Sequence, residues 1–422
     1  MSRRTALALL TGTLTLAACR GDPLPACRVA SKTDLQRNPL TLLKQVTLLR
    51  AGNGFVLAGV DKDQVLWARL GADGKLETTS LTLPTPRVVR PAPWLAVVGK
   101  AAAGDQLVAF SVVAKGGAPG EHELVAVTQE AGGAPSSPRS VLDLEKGVAL
   151  TSVRVATATS ASGQSAVVVV GYEGKPIVPT ALVLGGDAAV VKAAPLFGAD
   201  GLSSWTCLAA GEGRAGGMQV SLVAPASKGN PNWHVFELRD DGSRGTQGVM
   251  GFHVAKLDCP VVAPTKLGYV LAFQNDNGVF FSEFELERSP AVVTTGFIAG
   301  AVRFGGAHRQ PRVAAVAAMG REFGLLFERS TGHEAWRFDA FAVPQGKSLY
   351  LPSVAGSVGP VSAWGTVDGY HATYLDEIDQ SLGNSSGNQR YLIKVDCPTA
   401  QPIEFKADGG DAGGAGDAGN KD

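Results

Sequence analysis

The stretch GYVLAFQNDNGVFFSEF, residues 268–284, decides the fold class of this chain. Two runs rich in valine, leucine, phenylalanine and other β-forming residues flank a polar segment. Its Asn277-Gly278 pair readily adopts the positive backbone angles of a tight turn. Two such runs on either side of a turn of this type are typical of a β-hairpin. The stretch therefore predicts two antiparallel strands joined by a short connection.

Comparable strands recur along the chain at intervals of about 50 residues. They begin near Gly54, Asp105, Ser165, Gly217, Gly268, Phe323 and Val361. We find no convincing long amphipathic helix between them in the sequence. This spacing resembles that of β-propellers, in which each blade is a small sheet whose faces are buried only against neighbouring blades. The resemblance is one of periodicity, because the chain has no Trp-Asp pair and no Gly-Gly pairs in consistent register.

We therefore expect an all-β protein with one β-propeller domain over residues 28–405, most simply of seven blades of about 50 residues each. A single repetitive domain also accounts for the length of the chain, which exceeds that of a typical single domain. The structural alternative is a pair of β-sandwich domains of about 190 residues each.

The N-terminal segment MSRRTALALLTGTLTLAAC, residues 1–19, has the organisation of an export signal. Arg3 and Arg4 form a basic region, a short apolar run follows, and small residues precede Cys19. The sequence Leu-Ala-Ala-Cys at 16–19 resembles the lipobox of bacterial lipoproteins. That resemblance implies a cleaved signal peptide at 1–18, a diacylglycerated Cys19 with an acylated amino group, and a short tether at 19–27. The alternative is an ordinary secretory signal with a chance cysteine.

These features predict an exported protein that is lipid-anchored to a bacterial membrane and faces the periplasm or the cell surface. Several acyl chains on one cysteine anchor firmly, and no later segment is long and apolar enough to span a bilayer. Residues 2–7 also resemble a twin-arginine export motif, although Ala6 stands where that motif has an aromatic residue. The general and the twin-arginine routes both remain open.

The C-terminal tail, residues 406–422, is made of Gly, Ala, Asp, Asn and Lys. Because it has no large apolar residue to bury, we expect it to be disordered. Over the whole chain, 45% of the residues are hydrophobic, and 38 basic residues balance 38 acidic ones. This composition predicts a large core and gives no general attraction to nucleic acid.

Four cysteines remain besides Cys19, and in an exported protein they suggest two disulfides. Cys207 and Cys259 each lie about ten residues before a repeat start, so they hold similar positions in neighbouring repeats. Cys27 and Cys397 flank the repeats, where a propeller must join its first and last strands. We favour the pairs 27–397 and 207–259, the first worth on the order of 4–5 kcal/mol because its loop is long. Four thiols on a zinc ion is the weaker alternative, since no C-x-x-C pair exists.

Two short motifs suggest catalysis but lack the context that it needs. GEGRAG at 211–216 matches the dinucleotide fingerprint, yet a strand instead of a helix follows it. GNSSG at 383–387 matches a nucleophile elbow, yet the last histidine, His371, precedes Ser385. We therefore predict no catalytic residue and no cofactor from these motifs.

Histidines and tryptophans are the other candidates for a site. The histidines form no local metal motif, so we predict no metal site and expect scattered surface or loop positions. The tryptophans are expected to pack in the core between adjacent sheets. The six histidines are His122, His234, His253, His308, His333 and His371, and the six tryptophans are Trp67, Trp94, Trp205, Trp233, Trp336 and Trp364.

The functional hypothesis is a lipid-anchored cell-envelope protein that binds or scaffolds a protein or glycan partner on one face of the propeller. The rival is an envelope hydrolase or carbohydrate-active enzyme with a site at the propeller channel, where distant residues meet. A third possibility is a structural lipoprotein of an envelope assembly. The sequence favours a non-enzymatic role over the enzyme.

Overall fold

The computed structural model describes most of the chain between Cys27 and Cys397. The described ranges are 27–34, 46–51, 54–61, 64–70, 76–82, 94–100, 104–117, 120–160, 162–173, 179–196, 204–225, 231–251, 259–264, 268–275, 278–285, 312–319, 322–329, 332–339, 348–352, 362–366, 369–377 and 388–397. The expected signal peptide, Cys19 and the tail at 406–422 lie outside these ranges.

Strands make up almost all of the described secondary structure. In the first half of the chain they are β1 (Arg28–Asp34), β2 (Val46–Ala51), β3 (Gly54–Asp61), β4 (Gln64–Leu70), β5 (Leu76–Thr82), β6 (Trp94–Lys100), β7 (Gly104–Ala114), β8 (His122–Glu130), β9 (Arg139–Asp143), β10 (Val153–Thr159), β11 (Ala166–Tyr172), β12 (Thr180–Leu184) and β13 (Val190–Pro195). In the second half they are β14 (Cys207–Glu212), β15 (Met218–Pro225), β16 (Pro231–Leu238), β17 (Arg244–Gly251), β18 (Val261–Pro264), β19 (Gly268–Asn275), β20 (Gly278–Glu285), β21 (Arg312–Met319), β22 (Glu322–Arg329), β23 (Gly332–Asp339), β24 (Leu349–Pro352), β25 (Ser362–Thr366), β26 (Gly369–Glu377) and β27 (Asn388–Asp396).

The helical elements in the described part are three short 3-10 turns, at Lys115–Gly117, Leu150–Ser152 and Arg214–Gly216. None of them is long and apolar enough to cross a bilayer.

The described strands form seven antiparallel sheets. Six follow the chain from inner to outer strand: β2–β5 (blade 1), β6–β9 (blade 2), β10–β13 (blade 3), β14–β17 (blade 4), β18–β20 (blade 5) and β21–β24 (blade 6). Blade 7 has the order β25-β26-β27-β1, so the strand that begins the described chain completes the last sheet. The sequence positions furthest apart are thereby paired in one ladder.

The sheets are arranged in a closed ring. The first strand of each blade contacts the first strand of the next, from β2 through β6, β10, β14, β18 and β21 to β25, and β25 contacts β2. Each sheet therefore packs on two neighbours, whereas a sheet in a β-sandwich faces one partner. The predicted seven-bladed propeller is confirmed, and the alternative of two β-sandwich domains is wrong.

The core lies between neighbouring blades. Every residue of β11 is buried, because this second strand of blade 3 is covered on both faces by blades 2 and 4. The outer strand β13 is mostly exposed at the rim of the same sheet. Trp67, Trp205 and Trp233 are fully buried between adjacent blades, which confirms their expected role as core side chains.

The hairpin that decided the fold class is present as β19 and β20. Its strands pair from Gly268 with Glu285 to Asn275 with Gly278. The strands thus continue to the edges of the polar segment, and the connection itself, 276–277, lies outside the described residues. The prediction of an antiparallel pair is confirmed.

The predicted repeat starts mark the second strand of each blade, with one exception. Six of them coincide with, or lie next to, the starts of β3, β7, β11, β15, β19 and β22. Val361, the seventh, adjoins Ser362 at the start of β25, a first strand. The equivalent second strand begins at Gly369. Local β-propensity identifies a strand but does not reveal its place in the sheet, so the last interval was predicted too short.

Candidate functional site

The antiparallel blades place their turns on two opposite faces of the ring. We call one the 1–2 face, because it carries the turns between first and second strands and between third and fourth strands. The other, the 2–3 face, carries the turns between second and third strands and the connectors between blades. The described residues of the two faces differ in how their polar side chains are used.

On the 2–3 face, blade 2 has a long central hairpin. Its strands β7 and β8 contain 11 and 9 residues, and the turn between them begins with the 3-10 turn Lys115–Gly117. Gly116 and Gly120 in this turn have positive φ angles of 55° and 80°, which glycine adopts without steric cost. The hairpin holds charged side chains beside the connector that leads from β9 to β10.

Three ion pairs run along this edge, and we call their six side chains the charged rim. Lys115 pairs with Asp143, Lys146 Nζ lies 2.7 Å from Glu121 Oε1, and Arg154 pairs with Glu173. The hydrogen bond to Asp143 raises the pKa of Lys115, and the bond from Lys146 lowers the pKa of Glu121. All six side chains are at least partly exposed, so the rim faces solvent.

The connector between blades 2 and 3 is fixed from both sides. On the blade 2 side, the backbone N–H of Leu144 donates to the carbonyl of His122 at 2.9 Å. On the blade 3 side, the N–H of Glu145 donates to the hydroxyl of Tyr172 at 2.8 Å, and burial raises the pKa of this tyrosine. These bonds hold the middle of the rim in one geometry.

The 1–2 face uses its polar residues differently, to join one blade to the next. Arg69 at the end of β4 lies 3.2 Å from Asp105 at the start of β7, which links blades 1 and 2. The hydroxyls of Ser162 and Ser165 in the β10–β11 turn donate to Asp240 in the β16–β17 turn at 2.9 and 2.6 Å, which links blades 3 and 4.

Blades 4 and 5 are joined by a nearly buried cluster on the same face. Arg214 forms two hydrogen bonds to Glu237, at 2.7 and 3.0 Å, and the hydroxyl of Tyr269 donates to Glu237 at 2.7 Å. Burial would raise the pKa of Glu237, but the bonds from Arg214 and Tyr269 outweigh it and lower the pKa. Burial and the adjacent carboxylate raise the pKa of Tyr269 far above its usual value.

The GEGRAG segment at 211–216 supplies Arg214 to this cluster. It forms the turn between β14 and β15, as the sequence context predicted. Gly216 has a φ of 84°, and a Cβ on Gly217 would lie 2.5 Å from the carbonyl oxygen of Leu238. The glycines therefore let the turn fold closely over its own blade, which brings Arg214 onto Glu237. Their function here is structural.

At the ring centre, hydroxyl groups of β10, the innermost strand of blade 3, donate to the backbone of β6, the innermost strand of blade 2. Thr157 donates to the carbonyl of Leu95 at 2.6 Å, and Thr159 donates to that of Val97 at 2.7 Å. These bonds satisfy the inner edge of β6, which has no strand partner on that side.

Both favoured disulfides are present. Cys27 and Cys397 flank the β1–β27 ladder at the 1–2 face, and Cys207 is joined to Cys259 at the start of the inner strands of blades 4 and 5, at the 2–3 face. The four thiols are thus not brought together, and the zinc alternative is wrong. Within the described ranges, no three His, Cys, Asp or Glu side chains are grouped as for a metal ion.

The histidine prediction needs correction. His234 lies in the middle of β16 with 8% of its surface exposed, and burial lowers its pKa to about 4. His122, His333 and His371 also lie in strands. The expected surface or loop position is therefore wrong for His234, because the prediction weighed metal motifs and did not place this residue within its β-rich run. His253, His308, Ser385 and Cys19 lie outside the described residues.

Sequence reasoning also missed the charged rim. Its pairs join residues such as Lys115 in the β7–β8 turn and Asp143 at the end of β9, which no local pattern identifies as neighbours. The only usable signal was the unusual length of the β-rich run that became β7, which predicts a hairpin that projects further than the others.

Comparison with known proteins finds similarity among solved structures alone. No family model and no curated protein matches the chain. The chain is similar to a puromycin hydrolase (14% identity, 87% of this chain, TM-score 0.49), of which it spans 56%. It is also similar to the β-propeller domain of the Trilobed protease from Pyrococcus furiosus (9% identity, 84% and 98% of the two chains, TM-score 0.44) and to a lectin from Burkholderia pseudomallei (13% identity, 85% and 99%, TM-score 0.44). Similarity at this level carries no inference about ligand or reaction, and the fold assignment rests on the sheets themselves.

Proposed function

We propose that this chain is an exported, lipid-anchored protein of the bacterial cell envelope that binds a protein or glycan partner on its 2–3 face. The charged rim of blades 2 and 3 carries the proposal. Its six side chains are Lys115, Glu121, Asp143, Lys146, Arg154 and Glu173.

The energetics of the rim support a role in binding. Exposed ion pairs each contribute about 0–1 kcal/mol to stability, so the ring gains little from three of them. A set of charges held in fixed positions loses little conformational entropy when a partner docks. The bonds of Leu144 and Glu145 fix the connector that carries Lys146, and so provide this preorganisation.

Export is supported by the sequence and by the disulfides. The segment at 16–19 has the lipobox pattern, and structural disulfides are typical of oxidising compartments such as the periplasm. Lipidation of Cys19 would tether the ring to a membrane through residues 19–27. The hydrolase alternative has no observation of its own in its favour, and two hydroxyls at the ring centre, those of Thr157 and Thr159, donate to backbone carbonyls of β6.

The anchor is tested by Cys19→Ala. We expect the wild-type protein in the membrane fraction and the variant in the soluble exported fraction, because the variant has no thiol to acylate. The readout is an immunoblot of separated membranes and soluble fluid. Retention of the variant in membranes at the wild-type level would contradict lipid anchoring.

The docking face is tested with the soluble Cys19→Ala protein as the parent. Membranes and murein sacculi, prepared separately from the source bacterium, serve as the two probes in a sedimentation assay. We expect the parent to sediment with one probe, and the triple variant Lys115→Gln, Lys146→Gln, Arg154→Gln to lose most of that binding.

The matched control removes three exposed charges near the 1–2 face. It carries Arg139→Gln, Lys192→Gln and Arg239→Gln and should bind like the parent. Equal loss in both triple variants would indicate a non-specific charge effect, and full binding by the rim variant would place the partner elsewhere. Either result overturns the proposed face but leaves the anchor intact.

A further inference from the structure

The two disulfides differ in their exposure. Cys27 and Cys397 are 5% and 0% exposed, at the end of the ladder that closes the ring. In the other bridge Cys207 is 5% exposed, but Cys259 is an exposed residue just before β18. Thiol–disulfide exchange needs a thiolate to reach one sulfur of the bridge. Thiol–disulfide exchange is therefore favoured at the Cys207–Cys259 bridge, and burial protects the Cys27–Cys397 bridge from it.

The accessible bridge lies at one end of the junction between blades 4 and 5. Cys207 packs in the apolar cluster that fills this junction, together with Trp233 and Tyr269. The other end is held by Arg214 and Glu237, with the hydroxyl of Tyr269 as the third member. The junction thus has a covalent link at the 2–3 face and, at the 1–2 face, a hydrogen bond from Tyr269 of blade 5 to Glu237 of blade 4.

We propose that the Cys207–Cys259 bridge is a thiol-exchange site for an external protein dithiol of the Cys-x-x-Cys class. The first thiolate of the reductant attacks Sγ of Cys259, forms a mixed disulfide and releases Cys207 as a thiolate, which takes up a proton. The second thiolate of the reductant then attacks the first cysteine of the reductant, at the sulfur that is bonded to Cys259. Cys259 leaves as a thiolate and is protonated, the reductant becomes a disulfide, and two electrons have passed to the propeller.

Reduction removes the covalent link, while the hydrogen bond from Tyr269 to Glu237 remains. Blades 4 and 5 then stay in contact through the apolar cluster and this hydrogen bond, and the closed ladder of blade 7 is unaffected. The site would therefore loosen blades 4 and 5 at the 2–3 face without opening the ring. The inference does not rest on the binding of a partner at the charged rim.

The test uses the native full-length protein and dithiothreitol as the dithiol probe. Samples taken over time are alkylated, digested without further reduction and analysed by mass spectrometry. We expect Cys207 and Cys259 to be labelled at least about tenfold faster than Cys27 and Cys397, since only the first bridge has an exposed cysteine. Equal rates, faster labelling of the ring-closing pair, or no labelling of either bridge before unfolding would overturn the proposal.

Hydrogen exchange of the partially reduced protein tests the consequence. Amides of β14 and β18 should exchange faster after reduction, and amides of β1 and β27 should keep their rates. The variant Cys207→Ser, Cys259→Ser should show the same profile. If that variant fails to fold, the reduced wild-type protein still decides the question, and unchanged exchange in β14 and β18 would contradict the proposed loosening.

Discussion

The two faces of the propeller use the same kinds of charged residue for different purposes. On the 1–2 face, Arg214 in the β14–β15 turn pairs with Glu237 of β16, and their side chains are 11% and 12% exposed. Glu237 also accepts a hydrogen bond from Tyr269 of the next blade. On the 2–3 face, Lys146 and Glu121 pair at 78% and 38% exposure beside a connector that backbone bonds already hold. Both pairs have a shortest N–O distance of 2.7 Å.

Because the two distances are equal, exposure to solvent and not geometry must decide how much each ion pair contributes to the stability of the fold. A nearly buried pair has lost much of its hydration, so removing one partner leaves a costly unpaired charge. When one partner of an exposed pair is removed, water solvates the remaining charge, so little stability is lost. Among the ion pairs, the nearly buried one on the 1–2 face therefore contributes to the packing of the blades, whereas those on the 2–3 face display charge at little risk to the fold.

The largest effect should come from the disulfides, one at each face. Replacing Cys27 and Cys397 by alanine should lower the free energy of unfolding by about 4–5 kcal/mol, because the bridge closes a loop of 370 residues. Replacing Cys207 and Cys259, 52 residues apart, should cost roughly 1–2 kcal/mol less. Urea unfolding of both double variants measures the difference. A larger cost for the second pair would argue against ring closure as the dominant constraint.

The next effect concerns the buried pair of the 1–2 face. Glu237→Gln removes the nearly buried carboxylate that accepts from both Arg214 and Tyr269, and should lower the free energy of unfolding by about 3 kcal/mol. The matched control on the 2–3 face is Glu121→Gln, which removes the carboxylate that pairs with Lys146. It should lower the free energy of unfolding by less than about 1 kcal/mol. Thermal and urea unfolding compare the two. Equal costs would break the distinction between the faces.

A third test asks whether acid acts on the interior or on the rim. Because burial lowers the pKa of His234 to about 4 from 6.5, the unfolded chain binds a proton between these values and the folded chain does not. Stability should therefore fall as pH drops from 6.5 to 4, by about 2–3 kcal/mol from this group. His234→Gln should remove this slope in urea unfolding. The rim variants should keep it, and a slope that disappears with the rim charges instead would contradict the assignment.

The smallest effect is expected for the rim itself. Each of Lys115→Gln, Lys146→Gln and Arg154→Gln should change the free energy of unfolding by less than about 1 kcal/mol. Calorimetry of the single variants measures this directly. A loss of several kcal/mol for any of them would mean that the rim is structural, and would remove the energetic argument for a docking role.

Most of the fold was predictable because each hairpin is encoded locally. The run at 268–284 and its equivalents have strong β-propensity and polar turns, and their spacing predicted the ring. The closing strand β1 was not visible in this way. Its sequence RVASKTD has little strand character, and only the cysteines at 27 and 397 pointed to the closure.

The sites were less predictable because they depend on which blades become neighbours. Arg214 was part of a motif recognised as a turn, but its partner Glu237 is 23 residues away on another strand. The burial of His234 follows from the covering of both faces of β16 by blades 3 and 5, a property of the ring and not of its own segment. Pairing within a hairpin can be predicted from sequence pattern, whereas contacts between blades require the assembled structure.

Photo-crosslinking in cells tests whether a partner docks on the 2–3 face, as proposed. A photoreactive amino acid is placed at Lys146 on the rim, and in a second strain at Ala134 in the exposed β8–β9 turn of the 1–2 face. The account predicts a discrete crosslinked species for the probe at position 146 and none for the probe at position 134. A discrete species from position 134 with none from position 146 would contradict it.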